Sequence, residues 1–437
     1  MRIRQKKAFF DLIETVRSIE ENPNDLESVR NLNLKILGLI QHSEKAIARH
    51  KKSRKELISH LKTGRADKKT SKGLRAKLKR VDSYIKAQRD QIYIWKCFGD
   101  AIAYIYLDTF SVKHAFFDTD RYDEKPASGV TIGKSGLKQE IGFFLSAISN
   151  GVPAILCDIT NILRFGDVCL LGDSDPLCIE VKSNPKLNPR GKRQQAKLNI
   201  LHNFMESDKA DEFRGQPGST IRYNIKKEPK YHLDALNDCI SMAKNDGFAV
   251  TKPEIGITYI TVIEIGHVES AFSSLDGATG ELYFLNSYKN SHAWTPFSPF
   301  LLSIRDAEHV LDFIEGRINI VVAIEPQRVC DLMKEEGWEI RHRPEELYPI
   351  QFLHSETSAF SGISSQLIAR CVFEFMSLAT LADIGRPNLK DLLKLSSEAS
   401  INPDKSAFYS RVIEFCGSDD IWTKRIIKAN RFGNPDP

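Results

Sequence analysis

Three side chains combine types and spacing suited to one chemistry: Asp167 in Phe-Gly-Asp-Val-Cys-Leu-Leu-Gly, and Glu180 and Lys182 in Cys-Ile-Glu-Val-Lys-Ser. Residues two apart on a strand share a face, so Glu180 and Lys182 point together while Ile179 and Val181 pack on the other side. If Asp167 faces them across a hairpin, two carboxylates crowd and raise each other's proton affinity unless a cation lies between them. A hard divalent ion resolves that repulsion. Magnesium, or manganese in its place, takes oxygen ligands and keeps several waters, so Asp167, Glu180 and the Val181 carbonyl make a sufficient site beside a phosphate. Lys182 then orients or deprotonates a metal-bound water, or stabilises charge developing on phosphorus.

The flanking pattern predicts the elements that carry these residues. A helix over 136–149 ends at Asn150-Gly151, a C-cap pair. Strands follow over 152–159, 164–171 and 177–183, the last two joined by the turn-forming Gly172-Asp173-Ser174-Asp175-Pro176. A basic loop over 184–192 leads into a helix over 193–207, and 220–224 reads as a further strand. The order is αβββαβ, a mixed α/β core.

In these residues the chain resembles the PD-(D/E)XK nuclease superfamily, over about 136–224. The resemblance implies a restriction-endonuclease-like core, with metal-dependent hydrolysis of phosphodiester bonds in nucleic acid, DNA ahead of RNA. It also implies roles in restriction-like or antiviral defence or in repair. Carried over, Glu140 is the helix acid and a further metal ligand, Asp167 the strand acid, and Glu180 and Lys182 the E-x-K pair. The helical glutamine is Gln194 or Gln195. Gln194 shares a stripe with Leu198, Leu201 and Met205, and Gln195 shares a polar one with Asn199 and His202, so Gln194 is preferred, because a residue touching the metal water must sit over the sheet. Gly166 stands where the name-giving motif has proline. The rival readings are a non-catalytic nucleic-acid-binding or assembly protein on a nuclease scaffold, and the same chemistry on RNA.

The bare tripeptide also occurs at Asp67-Lys68-Lys69, Asp123-Glu124-Lys125 and Glu228-Pro229-Lys230. Only Glu180-Val181-Lys182 follows an acid-bearing helix and strand and leads into a glutamine-bearing helix. The proline of Glu228-Pro229-Lys230 excludes a central strand.

Charge is unevenly placed along the 437 residues, whose formal net charge is +5. Between Arg49 and Arg80 fourteen Lys or Arg face two acids, Glu56 and Asp67. This field lies in a segment, 1–110, whose apolar residues Leu26, Val29, Leu32, Ile36 and Ile40 recur at helical spacing, with breaks near 22–25 and 64–73. The segment reads as long helices forming a basic, coiled-coil-like arm. It either assembles with itself or a partner, or lays Lys51, Lys52, Arg54, Lys55, Lys77, Lys79 and Arg80 against nucleic-acid phosphates. Arg190, Lys192 and Arg193, at the mouth of the proposed site, suit phosphate contact as well. The aromatic stretch of Trp95, Tyr104, Tyr106 and Phe110 reads as packing.

Residues 111–350 are expected to hold the core and an α/β extension (helix 233–245, strand 256–265, helix 306–316, strand 318–324, helix 326–336), and 351–437 to be helical, with a buried stretch at 363–381. Eight cysteines without a C-x-x-C pair argue against zinc knuckles and disulfides and for a reducing cytoplasm. No apolar run of about 18 residues reads as a membrane span, and the charged N-terminus does not read as a secretion signal. The stretch Gly129 to Ser135 lacks the count of a phosphate-binding P-loop and a strand before it, so Ser135 reads as a helix N-cap. H-E-x-x-H, G-x-S-x-G and R-x-x-x-x-H do not occur. His42 and His50 read as surface residues.

Overall fold

The computed structural model describes residues 3–62, 67–181, 189–215, 219–222, 228–263, 265–273, 280–334, 337–344, 346, 348–355 and 360–385. Its architecture is mixed α/β, with several small antiparallel sheets. The described residues form two compact units: those of Ile3–Phe116 with Pro126–Gln195, and those of Phe117–Lys125 with the described residues from Ala196 on. The long helices and the segment bearing Asp167 and Glu180 therefore belong to one unit.

That first unit starts with α1 (Ile3–Glu21), α2 (Leu26–Lys62) and α3 (Lys68–Tyr106). Asp25 accepts bonds from the Ser28 N–H and hydroxyl, and Asp67 from the Thr70 N–H, so acids satisfy the free amides where α2 and α3 begin. Val29, Leu32, Ile36 and Ile40 are buried, and Phe98 of α3 meets Phe9 of α1 edge-on at 5.5 Å. Trp95 and Tyr104 are buried too. Between Ala46 and Ile85 no described residue is buried, so this basic half of the α2–α3 pair is wetted all round. There the two helices run antiparallel, with an ion pair between Arg54 and Asp82 at 2.6 Å and a ring contact between His50 and Tyr84 at 4.2 Å.

The helices also hold the sheet that follows α4 (Leu137–Ser149). β1 (Ala154–Leu156), β2 (Val168–Leu170) and β3 (Leu177–Ile179) form an antiparallel meander, pairing Leu156 with Val168 and Val168 with Ile179. The meander has the expected order with much shorter strands. Fully buried Asn33 of α2 accepts the Leu156 N–H at 3.1 Å. Gly99 of α3 lies against the turn after β1, where a Cβ would stand 2.2 Å from the Ile159 carbonyl oxygen. Next to it, Asp100 accepts the Asn161 and Ile162 N–H groups and the Asn161 side-chain amide, at 2.7, 3.0 and 2.7 Å.

Burial pushes the Asp100 carboxyl up to about 6, against those bonds and the charge of Lys96, which favour its ionised form. The folded state thus holds the proton more tightly than the unfolded chain, whose aspartates titrate near 3.9. Stability from this group is full below about pH 4 and is lost as pH rises through about 6. Asp100→Asn removes the titration. Denaturant unfolding should show the stability difference shifting toward the variant by up to about 3 kcal/mol between pH 4 and pH 7. A difference independent of pH would overturn this reading.

The helix α5 (Pro189–Ser207) starts at a proline, a residue pre-organised for a helix's first turn, four residues before the expected start. Arg190 and Lys192 therefore lie on a helix and not in a loop. The second unit adds β4 (Lys209–Asp211), β5 (Ser219–Ile221), α6 (Leu233–Asp246), β6 (Phe248–Glu254), β7 (Ile257–Val262), α7 (Val268–Ser273), β8 (Glu281–Phe284), α8 (Phe300–Ser303), α9 (Ala307–Glu315), β9 (Asn319–Ile324), α10 (Pro326–Leu332), β10 (Trp338–His342), β11 (Ile350–His354), β12 (Phe360–Ile363) and α11 (Ser365–Phe373). The strand expected at 220–224 pairs with β4 in a sheet of two, separate from the meander. The α/β extension forms its own antiparallel sheet in the order β6-β7-β9-β8. The described residues from 351 on are not helical throughout: β11 and β12 pair with each other before α11, and along β11 burial alternates from Ile350 to Leu353, as it does in a strand with one face on the core. The stretch expected to be buried, 363–381, is buried at nearly every position.

Candidate active site

Glu140 sits in the first turn of α4, on one stripe with Phe144 and Ile148, and all three are buried. The N-cap of this helix is Gly136 and not Ser135, and it makes no side-chain capping bond. A side chain there would collide with the acid, since a Cβ on Gly136 would lie 2.9 Å from Glu140 Oε1. An acid in the first turn also complements the helix dipole.

Asp167 stands where the meander's ladder ends. Its N–H donates to the Ile179 carbonyl at 2.8 Å, its carbonyl accepts the Cys157 N–H at 2.9 Å, and its Oδ2 accepts the Val181 N–H at 3.0 Å. Gly166, at φ +66°, turns the chain immediately before it. β3 accordingly stops at Ile179, so Glu180 and Val181 follow the strand and are not part of it. Glu180 is half-buried. The carboxylate of Asp167 is bound by the Val181 N–H and by a lysine, where a Glu180 partner was expected. Lys182 lies outside the described residues, as does the side chain of Arg190.

That lysine is Lys134. Its ammonium lies 2.8 Å from Glu140 Oε2, 2.9 Å from Asp158 Oδ2 and 3.0 Å from Asp167 Oδ1. The three carboxylates are 4, 7 and 14% exposed, and the lysine 29%. Neither Lys134 nor Asp158 follows from the E-x-K pattern. Lys134 falls in the stretch set aside as an imperfect P-loop, and Asp158 at the end of a run read as strand. It sits in a single 3-10 turn, Cys157–Ile159, directly after β1. The segment carrying Lys134 is fixed to α2 by Glu44, which accepts bonds from the Thr131 N–H and hydroxyl and the Ile132 N–H, at 3.1, 2.8 and 3.1 Å.

Burial works against the charge on Lys134, but its bonds to Glu140 and Asp158 and the fields of Asp158 and Asp167 outweigh this and hold it well above the usual lysine range. Burial pushes the Glu140 carboxyl up; the Lys134 bond draws it down, and the charges of Asp167 and Asp158 push it further up, for a net rise. Burial likewise drives the Cys157 and Cys169 thiols of the meander far up, so neither is poised as a thiolate nucleophile.

The donors that converge here are hard oxygens, the set that a magnesium or manganese ion takes. They lie at ammonium distances, and among the described residues no three His, Cys, Asp or Glu side chains already have the spacing of a metal site. Gln194 and Gln195 are both half-buried on α5, so burial does not choose between them. Lys192 and Arg193 are exposed on the same helix.

On the arm, Lys51, Lys52, Arg54, Lys55, Lys77, Lys79 and Arg80 are all exposed. Lys51, Arg54 and Lys55 line a groove of about 490 Å³ together with Lys86 and Arg89, against the single acid Asp82. Lys79, Arg75 and Lys86 line an adjoining groove of about 410 Å³. Lys52, Lys77 and Arg80 line neither of the two.

Comparison with protein-family models, with characterised proteins and with solved structures finds no match to this chain. Among the described residues no helix is long and apolar enough to cross a membrane.

Proposed function

We propose that this chain is a divalent-metal-dependent nuclease of the PD-(D/E)XK type that hydrolyses phosphodiester bonds, in DNA ahead of RNA. The observation that supports it most is the convergence of Glu140, Asp158 and Asp167, from a helix, a turn and a strand end, on one cation position, with the Val181 N–H on the other oxygen of Asp167. Asp158, Asp167 and Glu140 would hold the ion, with Glu180 and the Val181 carbonyl completing the set that the E-x-K pattern implies. Magnesium or manganese, when bound, polarises the phosphate and lowers the pKa of a coordinated water. Lys182 would orient or deprotonate such a water, and Gln194 or Gln195 would help to position it. Lys192 and Arg193, with Arg190, hold phosphate oxygens. The groove between α2 and α3 and the adjoining one on α3, both rich in Lys and Arg, favour a polyanion.

The purified chain, incubated with plasmid, linear duplex, single-stranded DNA and RNA, should cleave a DNA substrate with magnesium or manganese and none with chelator. Cleavage undiminished by chelator sinks the metal assignment. A chain that binds DNA yet cleaves nothing is the scaffold reading, and cleavage confined to RNA moves the substrate. For the arm, replacing Lys51, Arg54, Lys79 and Lys86 with alanine should flatten the slope of log affinity against log salt by roughly 3 to 4 on duplex DNA, about 0.9 per lost contact. An unchanged slope reassigns the arm to assembly.

A further inference from the structure

The buried Glu140 and Asp158 and the half-buried Asp167 carry more charge than Lys134 neutralises. Two further cations are near: Lys96, whose field reaches Asp158, Asp100 and Glu44, and Arg164. Glu44 and Asp100 are each met by backbone amides, whereas Glu140, Asp158 and Asp167 share the one ammonium of Lys134. A cluster built for stability alone would pair its buried charges, because an uncompensated one costs several kcal/mol. The pinning also matters. Glu44 holds residues 131 and 132 by three bonds, so the backbone near Lys134 is fixed, while the long Lys134 side chain, 29% exposed, is the most exposed member of the cluster.

We infer that Lys134 is a displaceable counter-cation: it occupies the metal position in the metal-free protein and yields it to a divalent ion. Resting on the metal-dependent reading above, this makes Lys134 a positioning residue. It keeps Glu140, Asp158 and Asp167 converged before the ion arrives, and it competes with the ion for them. Once displaced, its ammonium stays tethered within a side chain's length of the site, on the solvent side, where a phosphate approaches.

The test needs no nucleic acid. Lys134→Gln should melt below the wild type without metal, regain most of that loss with magnesium, manganese or calcium, and bind those ions at least about tenfold more tightly by calorimetry. In the wild type, an amine-reactive acylating reagent read by mass spectrometry should modify Lys134 several-fold faster once calcium or magnesium is added, and this second measurement holds even if the variant folds poorly. Ion binding by the wild type with no gain in the variant and no change in labelling overturns the Lys134 assignment and leaves the metal reading standing. Absence of ion binding in both proteins overturns the two together.

Discussion

Asp167→Asn should lower metal-dependent hydrolysis about 100-fold or more, the range seen when a group that meets transition-state charge is removed. The substitution keeps what Asp167 does for the fold. Its N–H to Ile179 and its carbonyl bond to Cys157 are backbone interactions, and an amide oxygen can still accept the Val181 N–H. What disappears is one negative charge beside Lys134 and beside the ion that would replace it. Without metal, melting temperature should hold or rise, since two like charges beside Asp167 are relieved of a third. The stabilisation gained on adding magnesium or manganese should shrink, because it scales with affinity for the folded state. Lys182→Ala should cost a comparable factor in rate with little change in ion affinity. Activity within a few-fold of wild type in both variants would remove the hairpin from the chemistry. An unchanged metal-induced shift would remove Asp167 alone.

Local pattern made much of this site legible. The helix bearing Glu140 and the acid at the edge of β2 follow from periodicity and turn residues, and the fold brings Glu140 and Asp167 onto one ammonium. Lys134 and Asp158 were not legible, for a physical reason: they reach the cluster through tertiary contacts. Lys134 depends on a loop that Glu44 ties to α2, and Asp158 on a turn that Gly99 lets approach α3 closely. Neither contact leaves a period in the sequence. The strand after Ile179 was expected to continue because Val181 is apolar and β-branched, yet the Val181 N–H bonds to a carboxylate in place of a neighbouring strand. On the arm, density of charge pointed to Lys52, Lys77 and Arg80, whereas helical spacing places Lys86 and Arg89 in the groove. A count of charges along the chain ends at Arg80; the groove depends on which face of the helix carries them.

Gly166 joins fold to chemistry most directly, and replacing it should have the largest effect on stability. Its φ of +66° lies in the left-handed region, which costs an ordinary L-residue roughly 1 to 2 kcal/mol. A Cβ there would also stand 2.7 Å from the Ile179 carbonyl oxygen and 2.9 Å from both its carbonyl carbon and its amide nitrogen, all backbone atoms of β3. Backbone cannot step aside as a side-chain end can, so Gly166→Ala should destabilise the chain by about 2 to 4 kcal/mol in all. Proline, locked near −65°, fits worse still. The damage should reach the site, since any shift that relieves the clash moves Asp167 and loosens its bonds to Ile179 and Cys157. Gly142→Ala is the matched control. That glycine is exposed within α4 with nothing within 4 Å of a Cβ, and alanine there should stabilise by up to about 1 kcal/mol. Denaturant unfolding of both variants, with metal-induced melting shifts beside it, separates the outcomes. If Gly166→Ala unfolds at the same denaturant concentration as Gly142→Ala and keeps the wild-type metal response, the turn before Asp167 does not position the acid.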